Sequence, residues 1–353
     1  MLNNYFAILG FSVILVFMKK FFGVVSTLIV TLSVLINIAA SPVLALSSCY
    51  MTASGVNVSK FSGATKAADL SSTCLNSSPN TRYGVASVSK MITSLTVLSL
   101  VDEGKISLDS PFIGQLAAGT MKKPSDTRWN KITVRQLLNH TSGIQVSKNW
   151  YFSQTTAAKY NYDWRNIAKN ATSISLQSTP GRAYQYSNTN YTILGLLIDQ
   201  KAEKPYLQAA SEKVFQPLGL GSAEYMLNSE QALTTQDFRY YGYAAWKNKA
   251  LGPAGAWFLT PHAASILPIA FKKLLSPTLS SQAMKGSTAN SAYGLGLMKM
   301  PGGWGHTGTI TGVRAAVAYN ISSGKSGAVL YNGASFSSGS DLKYAAYKLT
   351  TKY

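Results

Sequence analysis

A chain of 353 residues, 46% hydrophobic and with a formal charge of +19, is long enough for one large domain or two interlocked ones with an ample core. The charge favours anionic partners. Beyond residue 45 the basic residues are spread from Lys60 to Lys352 with no dense block and no nucleic-acid motif beside them, which argues for loose attraction to an anionic cell envelope and against nucleic-acid binding. There is no C-x-x-C, and His140, His262 and His306 are scattered, so neither a metal site nor a cofactor is expected.

Residues 6–17 and 21–40 are largely apolar, Lys19 and Lys20 interrupt, and neither piece holds an Asp or Glu. Read from Met18, a basic start, a long apolar body and a small-residue exit at Val43-Leu44-Ala45 follow the order of a secretory signal peptide. Three readings stay open: cleavage, retention as a membrane anchor, and lipidation at Cys49. All three place the folded part, residues 46–353, outside the cytoplasm, periplasmic or extracellular. Cys49 and Cys74 are the only cysteines, and a pair in an exported chain fits one disulfide; two free thiols are the alternative. Closing that loop of 26 residues stabilises by roughly 3 to 4 kcal/mol in the chain-entropy account.

Val56 to Gly63 reads as a short strand ended by a turn. Pro79-Asn80-Thr81 then delivers the chain to Ser87-Val88-Ser89-Lys90, which opens an apolar helix (Met91, Ile92, Leu95, Leu98) ending near Gly104. Ser87 and Lys90, three apart, rise from one face of that helix start. A serine hydroxyl needs a base within about 3 Å, and an amine serves as one near neutral pH only when burial or neighbouring cations lower its pKa. Thr133 caps a further helix that closes at Asn139-His140-Thr141-Ser142-Gly143, a run that by itself needs no function. Residues 144–180 are rich in aromatics, including Trp150, Tyr151 and Trp164, which belong to a core or line a groove.

Tyr186 and Asn188 precede an apolar helix at 191–200, and another runs from 206 to 215. Residues two apart in an extended segment point the same way, so the phenol and the amide can enter one cleft. A protonated Lys90 beside Tyr186 would stabilise a phenolate and make the tyrosine a proton carrier; the alternatives are a structural tyrosine and an Asn188 that only caps a helix. From residue 291 short strand-like runs alternate with glycines, at 293–298, 312–319 and 327–331, before a helix at 341–349. His306-Thr307-Gly308 lies among them after Gly302-Gly303-Trp304-Gly305. A glycine-flanked edge lets a substrate pair with the backbone. The Thr307 hydroxyl can hold a substrate oxygen, and His306, as an imidazolium, a carboxylate. The backbone N–H groups of Ser87 and Thr309 are the expected oxyanion donors. Early strand, helical middle, late strands and closing helix point to one α/β sheet built from both ends of the chain, with a helical region at about 95–250 inserted.

Ser87-Val88-Ser89-Lys90, Tyr186-Ser187-Asn188 and His306-Thr307-Gly308, in that order and about 100 and 120 residues apart, resemble the active-site set of the serine β-lactamase-related family: class C β-lactamases, D-alanyl-D-alanine carboxypeptidases of similar build and related esterases. The run 137–143 and Pro180-Gly181 are similar too. The resemblance implies a β-lactamase/transpeptidase-like fold, an antiparallel sheet flanked by helices. It implies an acyl-enzyme on Ser87, Lys90 and Tyr186 as the proton-transfer pair, Asn188 as substrate ligand, and His306, Thr307, Gly308 and Thr309 on the strand bordering the cleft. Class C β-lactamases usually carry a lysine where this chain has His306, which moves the expectation from β-lactam hydrolysis to a cell-wall carboxypeptidase first and an esterase second. The implied partners are a cell-wall peptide, ester or β-lactam, acted on by a monomer. A binding protein that keeps the cleft without turnover is the reading from another class.

Overall fold

Strands from the two ends of the chain pair with each other. The computed structural model describes residues 49–54, 57–63, 80–144, 154–234, 237, 245–310, 312–332 and 339–352. The strands are β1 (Cys49–Ser54), β2 (Asn57–Gly63), β3 (Tyr83–Gly84), β4 (Tyr225–Leu227), β5 (Trp257–Leu259), β6 (Met298–Met300), β7 (Gly303–Ile310), β8 (Val313–Asn320) and β9 (Ser326–Asn332). A six-stranded sheet runs β2-β1-β9-β8-β7-β6 and a three-stranded one β3-β5-β4, with every pair antiparallel. The expected α/β architecture, an antiparallel sheet flanked by helices and closed by both chain ends, is the one present.

Alternation along the central strands assigns the two sheet faces. Ala315, Val317, Ala328 and Leu330 look into the main core, whereas Ala316, Ala318 and Val329 share a second cluster with Leu342 and Ala346. Those last two residues lie on the closing helix. The helices are α1 (Ser89–Asp102), α2 (Val134–Leu138), α3 (Gln154–Lys159), α4 (Trp164–Lys169), α5 (Asn188–Lys201), α6 (Tyr206–Ala210), α7 (Ala245–Leu251), α8 (Pro261–Lys273), α9 (Pro277–Ala283) and α10 (Gly339–Lys352). Helix α8 packs on β9, β8 and β1, and α10 on β8 and β9.

Helix α1 is buried nearly all round, which makes it a core helix. Its buried hydroxyls are satisfied: Thr93 donates to Pro253 O at 2.7 Å, Thr96 to Ile92 O at 2.8 Å, and Ser89 Oγ accepts from Trp257 N at 3.1 Å. That is how a lysine on this helix comes to sit in the interior. Helix α2 begins with a capping box: Gln136 N donates to Thr133 Oγ1 while Gln136 Oε1 accepts from Thr133 N.

The structure departs from the expected elements, or decides between open alternatives, in three places. The run at 293–298 is a turn closed by a Tyr293 to Met298 bridge, because Gly296 takes φ +79° and lies so close to α1 that a Cβ there would meet Ser94 Oγ at 1.8 Å. Trp164 is a core residue, its ring filling the space a Cβ would take on Gly195 and Gly252; Trp150 and Tyr151 lie outside the described residues. Strands β3, β4 and β5 have two or three residues each, too few for an alternation to register in sequence. The leader or anchor at 1–45 and Cys74 of the expected disulfide also lie outside the described residues. Among the described residues no helix is long and apolar enough to cross a membrane.

Candidate active site

Ser87 sits where the small sheet hands the chain to the core helix. Val85 N donates to Trp257 O at 3.0 Å, continuing the pairing of β3 with β5. Ala86 then takes φ +45°, a left-handed conformation that costs a non-glycine residue about 1 to 3 kcal/mol and persists only where surroundings over-determine it. A 3-10 turn, Ala86–Val88, feeds α1. The result leaves Ser87 half-buried and Lys90 fully buried.

Three acceptors surround the Lys90 amine: Ser87 Oγ at 3.2 Å, Asn188 Oδ1 at 2.6 Å and Ala254 O at 2.7 Å. The two carbonyl oxygens only accept. A neutral amine, with two N–H bonds, spends both on them and turns its lone pair toward Ser87 Oγ–H. Burial lowers the Lys90 pKa well below its ordinary value, which favours that neutral form. The Lys90 amine is therefore buried and lies within hydrogen-bond reach of Ser87 Oγ.

Tyr186 and Asn188 approach from the extended segment before α5, whose N-cap is Ser187 (φ −136°, ψ 126°). Asn188 is the first helical residue, and its carbonyl holds Lys90 instead of capping a helix. The Lys90 amine lies 5.0 Å from the Tyr186 ring centroid, and the phenol is hydrogen-bonded to Ser87. Burial pushes the Tyr186 pKa up, with only a partial offset from Ser87. Desolvation thus opposes the phenolate considered from sequence and favours a phenol that can donate.

The third motif lies on β7. Gly302 O accepts from Ile321 N at 3.0 Å, so by alternation the even residues of β7 turn their peptide groups to β8 and the odd ones to the opposite edge. There β6 pairs only residues 303 to 305. The peptide groups of Thr307 and Thr309 consequently face the cleft, and Thr309 shares with Ala86, Ser87, Asn188, Lys247 and Ala254 a cavity of about 220 Å³. Gly308 lies flat against the serine turn: a Cβ there would stand 2.0 Å from Val85 O and 3.1 Å from Ser87 N. The Thr307 hydroxyl points to Met298 Sδ at 3.6 Å.

His306 is not the charged ligand expected from sequence. It is 1% exposed, and its nitrogens are occupied, Nδ1 by Thr307 O at 2.6 Å and Nε2 by the Tyr293 hydroxyl at 3.0 Å. Burial, reinforced by Lys90, pushes its pKa down to about 3. An imidazolium here would be desolvated. Sequence reasoning also missed Ala254, Lys247, His140 and Tyr293. Only His140, inside the family-like run 137–143, stood in a motif at all.

A sequence profile of the beta-lactamase family matches residues 61–350. The chain belongs to the beta-lactamase family. This is a family of serine hydrolases. Two solved beta-lactamase-fold structures superpose over most of the chain. A D-stereospecific amidohydrolase from Streptomyces sp. is 24% identical with a TM-score of 0.66 over 85% of this chain and 93% of that one. A penicillin binding protein from Bacillus halodurans is 19% identical with a TM-score of 0.67 over 85% of this chain and 95% of that one. These likenesses bear on the fold. Protein flp of Staphylococcus aureus (strain MRSA252) is 27% identical over 158 residues, 45% of this chain, and the match spans only 31% of that relative's length.

Proposed function

We propose that this beta-lactamase-family protein hydrolyses amide bonds of D-amino-acid peptides such as those of the cell wall, outside the cytoplasm, through an acyl-enzyme on Ser87. The observation that carries the reading is the Lys90 amine, buried and held by two carbonyl oxygens with its third position on Ser87 Oγ. Neutral Lys90 takes the Ser87 proton as Oγ attacks the substrate carbonyl. The oxyanion receives the N–H groups of Ser87 and Thr309. The Tyr186 phenol protonates the departing amine and is reprotonated from Lys90, which leaves an ester on Ser87. Water then attacks the ester, giving its proton to Lys90; the acyl–Oγ bond breaks, Lys90 passes that proton to Ser87 Oγ, and the acid leaves. Asn188, its Oδ1 committed to Lys90, keeps its amide N–H groups for the bound acyl chain.

Three further features support the substrate class. The D-stereospecific amidohydrolase and the penicillin binding protein share the fold. A neutral His306 offers no fixed cation on β7 to a substrate carboxylate, so recognition falls to the strand's open backbone edge and to Asn188, groups that suit a peptide chain. The apolar leader-like segment favours export. A fluorophosphonate adduct mapped by mass spectrometry is expected on Ser87 and absent in Ser87→Ala. A D-Ala-D-Ala peptide should be turned over faster than a chromogenic cephalosporin, with a nitrophenyl ester as the comparison. An adduct on Ser89 or Ser187 would sink the nucleophile assignment, and no turnover of the three substrates would favour a binding protein.

A further inference from the structure

Three buried rings that take no part in acyl transfer are joined in one line of hydrogen bonds. His140 Nδ1 lies 3.1 Å from Ser187 N and 3.0 Å from Asn190 Nδ2, and His140 Nε2 lies 3.2 Å from the Tyr293 hydroxyl. That hydroxyl is 3.0 Å from His306 Nε2, and His306 Nδ1 is 2.6 Å from Thr307 O. The proton positions follow from the two ends, because a backbone N–H can only donate and a carbonyl oxygen can only accept. Ser187 N–H makes His140 Nδ1 an acceptor and leaves that ring's proton on Nε2. Thr307 O makes His306 Nδ1 a donor and leaves Nε2 as an acceptor. Tyr293, with one proton, accepts from His140 and donates to His306. The adjacent Tyr191 donates to Leu138 O at 2.8 Å and so can only accept from Tyr293; Ser94 Oγ at 3.3 Å can supply that proton instead, whereas the Tyr293 hydroxyl is the donor that His306 Nε2 has.

We propose that His140, Tyr293 and His306 are positioning residues, a relay locked in one tautomeric state that holds the Tyr186–Asn188 segment in register with the open edge of β7. The proposal rests on reading the cleft as an acyl-transfer site. One end of the relay grips the peptide N–H between Tyr186 and Asn188. The other supplies the Thr307 carbonyl, two residues before Thr309 N–H, with the donor that β6 is too short to provide. These halves of the site are about 120 residues apart in sequence, and displacement of a reacting group by about 1 Å can cost 100-fold in rate. The backbone agrees: His140 takes φ +59°, held there by Gln185 N donating to its carbonyl at 2.8 Å. Lys90 and the Tyr184, Tyr186 and Tyr191 rings face the relay, and burial keeps both imidazoles neutral, as a one-way chain requires.

The chain has three histidines, so full-length protein labelled with nitrogen-15 histidine presents three imidazoles, and His262→Gln removes the partly exposed one. Long-range proton–nitrogen correlation spectra at neutral pH should find the proton of His140 on Nε2 and that of His306 on Nδ1. Tyr293→Phe removes the central hydroxyl alone. It should shift both Nε2 resonances and lower kcat about tenfold with KM within about twofold, because substrate contacts stay while the catalytic halves lose register. Either imidazole carrying its proton on the other nitrogen, or a folded Tyr293→Phe enzyme with kcat within about twofold of wild type, would overturn the proposal. If that variant does not fold, the wild-type tautomers decide. If wild type turns over no substrate, the hydrolase reading fails while the spectra still decide the relay.

Discussion

Lys90, His140 and His306 put three ionisable nitrogens in one dry region, and each responds as desolvation requires. Lys90 is pushed well below its ordinary value, so kcat/KM should rise from low pH as Lys90 loses its proton, reaching its plateau below the range of an exposed lysine. His306, already neutral, should add no limb between pH 6 and 8. The histidines act on stability instead. The folded His306 pKa is about 3 against an ordinary 6.5, and His140 is lowered as well. Between those values the unfolded chain binds more protons, so stability is full above about pH 6.5 and is lost as pH falls toward 3. The slope is at most about 1.4 kcal/mol per pH unit for each histidine. Urea unfolding at pH 7, 6 and 5 should record this fall, and His306→Gln should flatten it. An activity limb near pH 7 that disappears in His306→Gln would instead mean that His306 is charged.

Strand β7 sets how close the two proposed oxyanion donors, Ser87 N–H and Thr309 N–H, come to each other. Its contact with the serine turn has no room for a side chain at residue 308, where a Cβ would lie 2.0 Å from Val85 O. Gly308→Ala must push the strand edge away from Ser87 by an ångström or so, and kcat/KM should fall about 100-fold or more with Tm changed far less than activity. A variant within about threefold of wild type would mean that the edge takes no part in oxyanion binding. Helix α1 and strand β7 were both legible in sequence, one from its apolar run after Ser87 and the other from its glycines. The small sheet and the turn at Gly296 were not, since two or three residues carry no periodicity and the turn follows from the proximity of Ser94.

The whole domain depends on its last helix. Met300, Ala316, Ala318 and Val329 form a sheet face that Leu342 and Ala346 of α10 cover, so the segment that closes the fold lies at the far end of the chain from the hairpin it helps to retain. Leu342 is 2% exposed; Leu342→Ala should cost about 2 to 4 kcal/mol, measured by urea unfolding. A cost below about 1 kcal/mol would show that this face is not a core. The net charge of +19 acts at this scale as well, through attraction to anionic surfaces that salt weakens.

The sequence by itself determined which side chains come together in the proposed site. Ser87 with Lys90 three residues on, and Tyr186 with Asn188 two on, are local spacings, and local geometry alone sends each pair into the same space. It also determined the sheet, because the strand-like runs sit at the two ends of the chain. Only the tertiary structure decided the protonation states. Lys90 is desolvated because Ala254 and Asn188 hold it in a core closed by Trp257 and Tyr191, and burial against Tyr293 and Thr307 holds the His306 pKa down. Desolvation is set by every atom within a few ångströms, and those atoms come from segments scattered over more than 200 residues of chain.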